Sequence, residues 1–335
     1  SAEMLAKISK GYEGDADDRA IRNALAGTPI GTLAMNADNA AMIDTHFSDR
    51  VKTKGITDQQ SSGRCWLFTG LNVLRAKMID KYDLPGMEFS QNYLFFYDQL
   101  EKANLFLQGV IDTRELPFDD RKVDWLFSNL KLREDGLALR AAYEEGFREI
   151  GRRPKKEVER RMEALDAKLQ DMKVQQLSEI YRMLALCLGE PVSEFEWTRC
   201  DKDNKVVSRK TYTPKSFYEE FIGEDLENNY VMIMNDPCRE YGKVYEIDYD
   251  RHVYDGHNWL YLTLPLERLK DMAIASIKDN TAMYFSCDVG KFYDRKKGVL
   301  DLDNFDYESL MGVTFGMDKK ERVQTHASGS SHAMT

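Results

Sequence analysis

Apolar positions recur at helical spacing along much of this chain, and the first clear run begins at Cys65. Phe68, Leu71, Leu74 and Met78 stand three or four residues apart, which predicts a helix over 65–81 with one apolar face. The stretch before it, Asp58-Gln59-Gln60-Ser61-Ser62-Gly63-Arg64, is small and polar and reads as a loop. Ser90 is a good N-cap type, so a second helix is expected over 91–108. Residues 131–190 are helical in composition. Between Lys155 and Leu188 there is neither Pro nor Gly, and Val158, Met162, Leu165, Leu169, Met172 and Val174 form an apolar stripe among charged residues. That stripe predicts an amphipathic helix packed on the body, with a coiled-coil or partner helix as the alternative.

The ends of the chain read differently. Residues 17–25 suggest a short helix ending near Gly27 and Pro29, and 47–51 an extended lead-in. After Pro191 the pattern turns to strand and loop. The compact apolar runs 230–234 and 282–286 suit buried strands, and 266–278 a further helix. The expected division is an N-terminal arm over 1–48, a helical lobe over 49–100, a helical insertion over 101–229 and a β-rich lobe over 230–335.

Composition narrows the class. A chain of 335 residues makes one large domain or two ordinary ones. No stretch approaches the ~20 apolar residues of a membrane span. A net charge of −10 argues against non-specific binding to nucleic acid or anionic membranes. No basic segment leading into an apolar run opens the sequence, so the cytoplasm is the expected compartment, with a periplasmic location after leader removal as the alternative. The five cysteines, Cys65, Cys187, Cys200, Cys238 and Cys287, are odd in number and widely spaced. They suggest neither a zinc site nor a disulfide framework. Four of them read as small core residues, and Cys65 stands apart. Walker A, GxGxxG and HExxH patterns are absent from the sequence, and no cofactor or metal is called for.

Cys65 falls where thiol chemistry would use it. A nucleophilic sulfur must be an anion, and a helix N-terminus offers partial positive charge and unpaired N–H groups. The Cys65 N–H could also donate to an oxyanion, with a second donor from a side-chain amide. Gln59 or Gln60 could supply it, and the six-residue offset favours Gln59. Gly63 lets backbone approach a substrate, and Trp66 could wall the site. The histidines His252 and His257 lie in a Tyr/Asp-rich turn and read as solvated turn residues.

The segment Gln59-Gln60-Ser61-Ser62-Gly63-Arg64-Cys65-Trp66-Leu67-Phe68 resembles the nucleophile motif of the bleomycin hydrolase and aminopeptidase C family, a branch of the papain-like cysteine peptidases. Ser328-Gly329-Ser330-Ser331-His332-Ala333-Met334 resembles its histidine segment, and 101–107 and 288–291 resemble further stretches. The resemblance implies an α+β, papain-like two-lobed fold with a helical insertion. It implies Cys65 as nucleophile, His332 as general base and acid, and Gln59 as the oxyanion amide. It also implies peptide substrates, aminopeptidase specificity and a homohexamer. Papain-type enzymes place the histidine ~130–150 residues after the cysteine, so on the order of 120 extra residues lie between the two here. An inactive binding module of the same fold, or a thiol acyltransferase, would use the same residues.

Two departures stand out. The asparagine that orients the histidine in such sites would follow His332, and the chain ends at Thr335. At Ser128-Asn129-Leu130-Lys131 two family-like segments join without the few dozen residues the family carries between them. Both suggest that the full gene product has residues this chain lacks.

Overall fold

The computed structural model describes every residue except Glu13, Leu130 and Lys131, and the side chain of Asn129 is also left undescribed. The junction at 128–131 therefore lies in part outside the described residues.

In chain order, four short helices come first: α1 (Ala2–Ser9), α2 (Ala16–Gly27), α3 (Ile30–Leu33) and α4 (Ala37–Met42). Five more follow, all but α7 longer than these: α5 (Cys65–Tyr82), α6 (Gln91–Asp112), α7 (Arg121–Asn129), α8 (Arg133–Ile150) and α9 (Lys155–Leu188). A hairpin, β1 (Phe195–Cys200) and β2 (Val206–Tyr212), leads into α10 (Pro214–Phe221). Then come β3 (Ile233–Met234), β4 (Val244–Glu246), β5 (Leu260–Thr263) and α11 (Leu266–Lys278). The chain closes with β6 (Phe285–Cys287), β7 (Tyr293–Asp294), β8 (Val299–Leu300), α12 (Tyr307–Met311), α13 (Lys319–Gln324) and β9 (His332–Met334).

These elements form two compact units, one of Ser1–Arg50 with Tyr284–Met334 and one of Val51–Met283. In the larger unit α6, α7, α8 and α9 share a core. Phe106, Leu107 and Val110 of α6 meet Leu126, Leu139, Tyr143, Leu165 and Leu169. Glycine lets the helices approach. A Cβ on Gly136 would stand 2.7 Å from Cζ of Phe106, whose ring is fully buried and packs edge-on to Phe127. A second cluster joins the end of α5 to the hairpin and α10 through Met78, Ile79, Trp197, Tyr212, Phe217 and Phe221. In the small sheet β5 lies between β3, parallel to it, and β4, antiparallel.

α5 is buried on more sides than its stripe predicts. Thr69, Val73 and Arg75 are buried along with Leu67, Leu71, Ala76 and Met78. The Arg75 guanidinium donates to the carbonyls of Lys54 (3.0 Å) and Gly55 (2.6 Å), and Thr57 Oγ1 donates to Asn72 Oδ1 (2.9 Å). Val51 packs on Val73 and Ala76. The lead-in to the 58–64 loop is thus laced onto the helix the loop precedes.

In the smaller unit β6 pairs antiparallel with β9, and β7 with β8. The arm is tied to the C-terminal segment by a bridge between Met35 and Phe305, with Asp306 N–H donating to the Ala34 carbonyl (2.7 Å). The buried Asn304 holds this turn by donating to the carbonyls of Phe292 and Val299.

Several expectations need correction. α6 runs a further turn, to Asp112. Val174 is exposed, because two residues beyond Met172 lies off the helix face that the stripe follows. Only Ile233 and Met234 of the 230–234 run are strand, and Tyr230 and Val231 are exposed. The 282–286 run yields a strand only from Phe285, and Tyr284 and Phe285 are exposed. Among the described residues no disulfide forms, and of the four cysteines expected in the core Cys187 is exposed and Cys200, Cys238 and Cys287 are only half-buried.

The contact at Gly136 yields a prediction. Alanine would gain about 0.5–1 kcal/mol in helix propensity. Displacing a packed ring costs about 1–3 kcal/mol and wins. Gly136→Ala should lower unfolding stability by about 1–2 kcal/mol in a denaturant titration.

Candidate active site

Cys65 is the first residue of α5 and is half-buried. The N-cap residue, Arg64, makes no side-chain capping bond. The N–H groups of Leu67 and Phe68 both reach the Arg64 carbonyl (3.0 and 3.1 Å). Among the described residues, nothing accepts the N–H of Cys65 or Trp66. A helix start in this state is a local donor surface with positive potential.

The loop before it is shaped by its own hydrogen bonds. Gln60 and Gly63 both have positive φ, +52° and +70°. At Gly63 a Cβ would meet open space, so the requirement there is conformational. Ser62 N–H donates to the Gln59 carbonyl (3.1 Å). The Gln59 side chain folds back along the loop. Its Oε1 accepts from Arg64 N–H (2.9 Å) and from the Ser62 hydroxyl (3.0 Å). With its carbonyl end so anchored, the Nε2 end of Gln59 remains a donor. Gln59 is thereby bonded to the residue next to Cys65. Gln60 is turned differently, its backbone N–H on Asp58 (2.7 Å).

The residues on either side of Cys65 are both pinned to α6. Arg64 donates to Asn92 Oδ1 (2.9 Å) and lies over Phe95 (5.1 Å to the ring centroid). The Lys102 ammonium stands over the Trp66 ring (5.1 Å), and His252 meets Trp66 edge-on at 6.1 Å. Asp98 ties these together. Its Oδ2 accepts from Lys102 (2.7 Å), and its Oδ1 is 3.3 Å from Nδ1 of His252. Burial works against the Asp98 charge, but bonds from His252 and Lys102 outweigh it and hold the carboxyl below its ordinary range. Asn92, Phe95, Asp98 and Lys102 follow one another at steps of three or four, one face of α6. His252 and His257 are exposed, as expected, but the turn that carries them is docked, with Tyr254 donating to Asp112 (2.5 Å), Arg121 paired to Asp248 (2.8 Å) and Tyr249 packed on Trp125 (5.3 Å). It walls a concavity of about 320 Å³ together with Lys102 and Trp125. The α6 spacing was readable from sequence. The Trp66–His252 contact, between residues so distant in the chain, was not.

His332 belongs to the smaller unit. It opens β9, where it faces Cys287 across the β6 ladder. Ser331 braces the turn before it, its N–H on the Cys287 carbonyl (2.9 Å) and its hydroxyl accepting from Val289 N–H (3.0 Å). Ser286 Oγ donates to the His332 carbonyl (3.2 Å). Asp288 accepts from Lys291 and Ser328 (2.9 Å each), and those bonds hold it below its ordinary range despite partial burial. The backbone of the histidine segment is therefore fixed, while the imidazole has no hydrogen-bond partner among the described residues. Burial and the Asp288 charge push the Cys287 thiol up, which disfavours its thiolate.

Among the described residues no group of acidic, Cys or His side chains could hold a metal ion, and no helix is long and apolar enough to cross a membrane.

The sequence profile of the Peptidase C1-like family matches residues 1–137 and 129–335. Aminopeptidase G of Lactobacillus delbrueckii subsp. lactis is 33% identical over 99% of this chain and 82% of its own length. Aminopeptidase C of Listeria monocytogenes serovar 1/2a is 30% identical over 99% of this chain and 81% of its length. The crystal structure of PepW from Lactobacillus rhamnosis HN001 superposes with a TM-score of 0.86 at 26% identity, over 99% of this chain and 81% of that one. The fold is accordingly α+β and papain-like, and the chain belongs to the Peptidase C1-like family as a cysteine peptidase of the aminopeptidase C group.

Proposed function

We propose that this protein is a cysteine aminopeptidase that releases N-terminal residues from peptides through an acyl-thioester on Cys65. The observation that carries this reading is the open start of α5. The thiol sits where two backbone N–H groups have no acceptor among the described residues, beside a glutamine whose carbonyl end is already bonded.

In the proposed cycle His332 takes the thiol proton and Cys65 Sγ attacks the scissile carbonyl carbon. The Cys65 N–H and Gln59 Nε2 hold the oxyanion. The C–N bond breaks as His332 gives its proton to the leaving amine, leaving a thioester. Water, deprotonated by His332, then attacks the thioester carbon. The acid is released and the thiol re-forms. The exopeptidase preference rests on the relatives' names and the motif resemblance. The same resemblance supports a homohexamer, and five cysteines without a disulfide among the described residues fit a reducing cytoplasm. In this reading residues 49–100 supply the nucleophile lobe, 101–229 the helical insertion, 230–335 the lobe with His332, and 1–48 an arm.

Two outcomes follow. Cys65→Ala should abolish release of a fluorogenic amine from an aminoacyl amide while leaving the thermal unfolding midpoint unchanged. Cleavage that survives the substitution would refute the nucleophile. Gln59→Ala should lower kcat by about 10²–10³-fold with little change in KM, the loss seen when one oxyanion donor is removed. A raised KM with kcat unchanged would place Gln59 in ground-state binding instead.

A further inference from the structure

The start of α5 lacks the usual means of fixing a helix end. Its N-cap side chain makes no capping bond, yet Cys65 must present its sulfur and N–H in one geometry if it is the nucleophile. Arg64, on one side, is fixed by Asn92 and Phe95. Trp66, on the other, meets two side chains that Asp98 gathers, His252 and Lys102.

We propose that Asp98 and His252 are positioning residues for the nucleophile, acting through Trp66. This rests on the reading of Cys65 as nucleophile. An ionised carboxylate only accepts hydrogen bonds, so Nδ1 of His252 carries the proton in the contact with Asp98 Oδ1. That bond fixes the plane of the imidazole, which stands at 81° to the indole and closes one side of Trp66. The other oxygen of Asp98 fixes Lys102, whose ammonium covers the indole face. Asp98 is nearly buried while the His252 side chain is about half exposed, with relative areas of 10% and 52%. The carboxylate is thus the buried centre of the cluster and the histidine its exposed clamp.

The clamp is carried by a turn with its own anchors on α6 and α7, Tyr254 to Asp112 and Asp248 to Arg121. Replacing His252 therefore removes the contact with Trp66 while these ties keep the turn in place. The arrangement separates holding the nucleophile from binding the substrate. Loss of the clamp should affect turnover more than affinity.

The test compares His252→Ala, His252→Asn and wild type in three measurements on the full chain. These are kcat and KM on an aminoacyl amide, the rate at which iodoacetamide alkylates Cys65, and the thermal unfolding midpoint. His252→Ala should lower kcat about tenfold, in keeping with small displacements of a reacting group. KM and the midpoint should stay near wild type, and alkylation should slow with kcat. His252→Asn, which can still donate to Asp98, should restore most of both rates. Wild-type rates in His252→Ala would overturn the proposal, as would no recovery in His252→Asn. A wild-type protein that alkylates at Cys65 but hydrolyses nothing would refute the peptidase reading alone. The alkylation rates of the variants would then decide the clamp by themselves.

Discussion

A helix that begins without a capping side chain leaves its first N–H groups open and its first turn loosely defined. α5 begins that way, at the cysteine the chemistry depends on. Satisfying those N–H groups within the protein would fix the helix start, but it would also remove the donors an oxyanion needs. The structure meets both demands by holding the neighbours instead. Arg64 and Trp66 are pinned to one face of α6, and the N–H of the residue between them has no acceptor among the described residues. Gln59 completes the arrangement, because its bond to Arg64 N–H fixes the loop while leaving its own amide donor uncommitted.

Much of the larger unit serves to keep α5 and α6 rigid against each other. Burial of α5 on most sides leaves it little freedom to tilt. Arg75 illustrates the balance. Among the described residues it has no carboxylate partner, and its buried charge is satisfied by two backbone carbonyls of the lead-in segment. The cost of burying the guanidinium is offset by charge-assisted hydrogen bonds, each worth about 1.5–3 kcal/mol. In return the loop before Cys65 is fixed at its base. On the far side of α6, the core shared with α8 and α9 anchors the helix along its length.

Local periodicity made the helices legible. α5, α9 and α11 begin where apolar spacing and runs with few breakers place them, although none of the three starts with a capping side chain. Short strands were less legible. The 230–234 and 282–286 runs have strand-like composition, but only part of each finds a ladder, and composition does not report pairing partners. At the site, Cys65 and Gln59 could be read from one short segment, since loop and helix start are contiguous. His252 and Asp98 could not, because their significance lies in a contact across the fold with Trp66, and a Tyr/Asp-rich turn gives no sign of what it docks against.

The central claim is that one thiol of five is chemically set apart by its place at an open helix start. Rapid-quench mass spectrometry with an aminoacyl ester tests it directly. The account predicts a mass increase of one acyl group, carried by the tryptic peptide that runs from Cys65 to Arg75. An adduct on another cysteine, such as the exposed Cys187, or no adduct while ester is consumed, would contradict it.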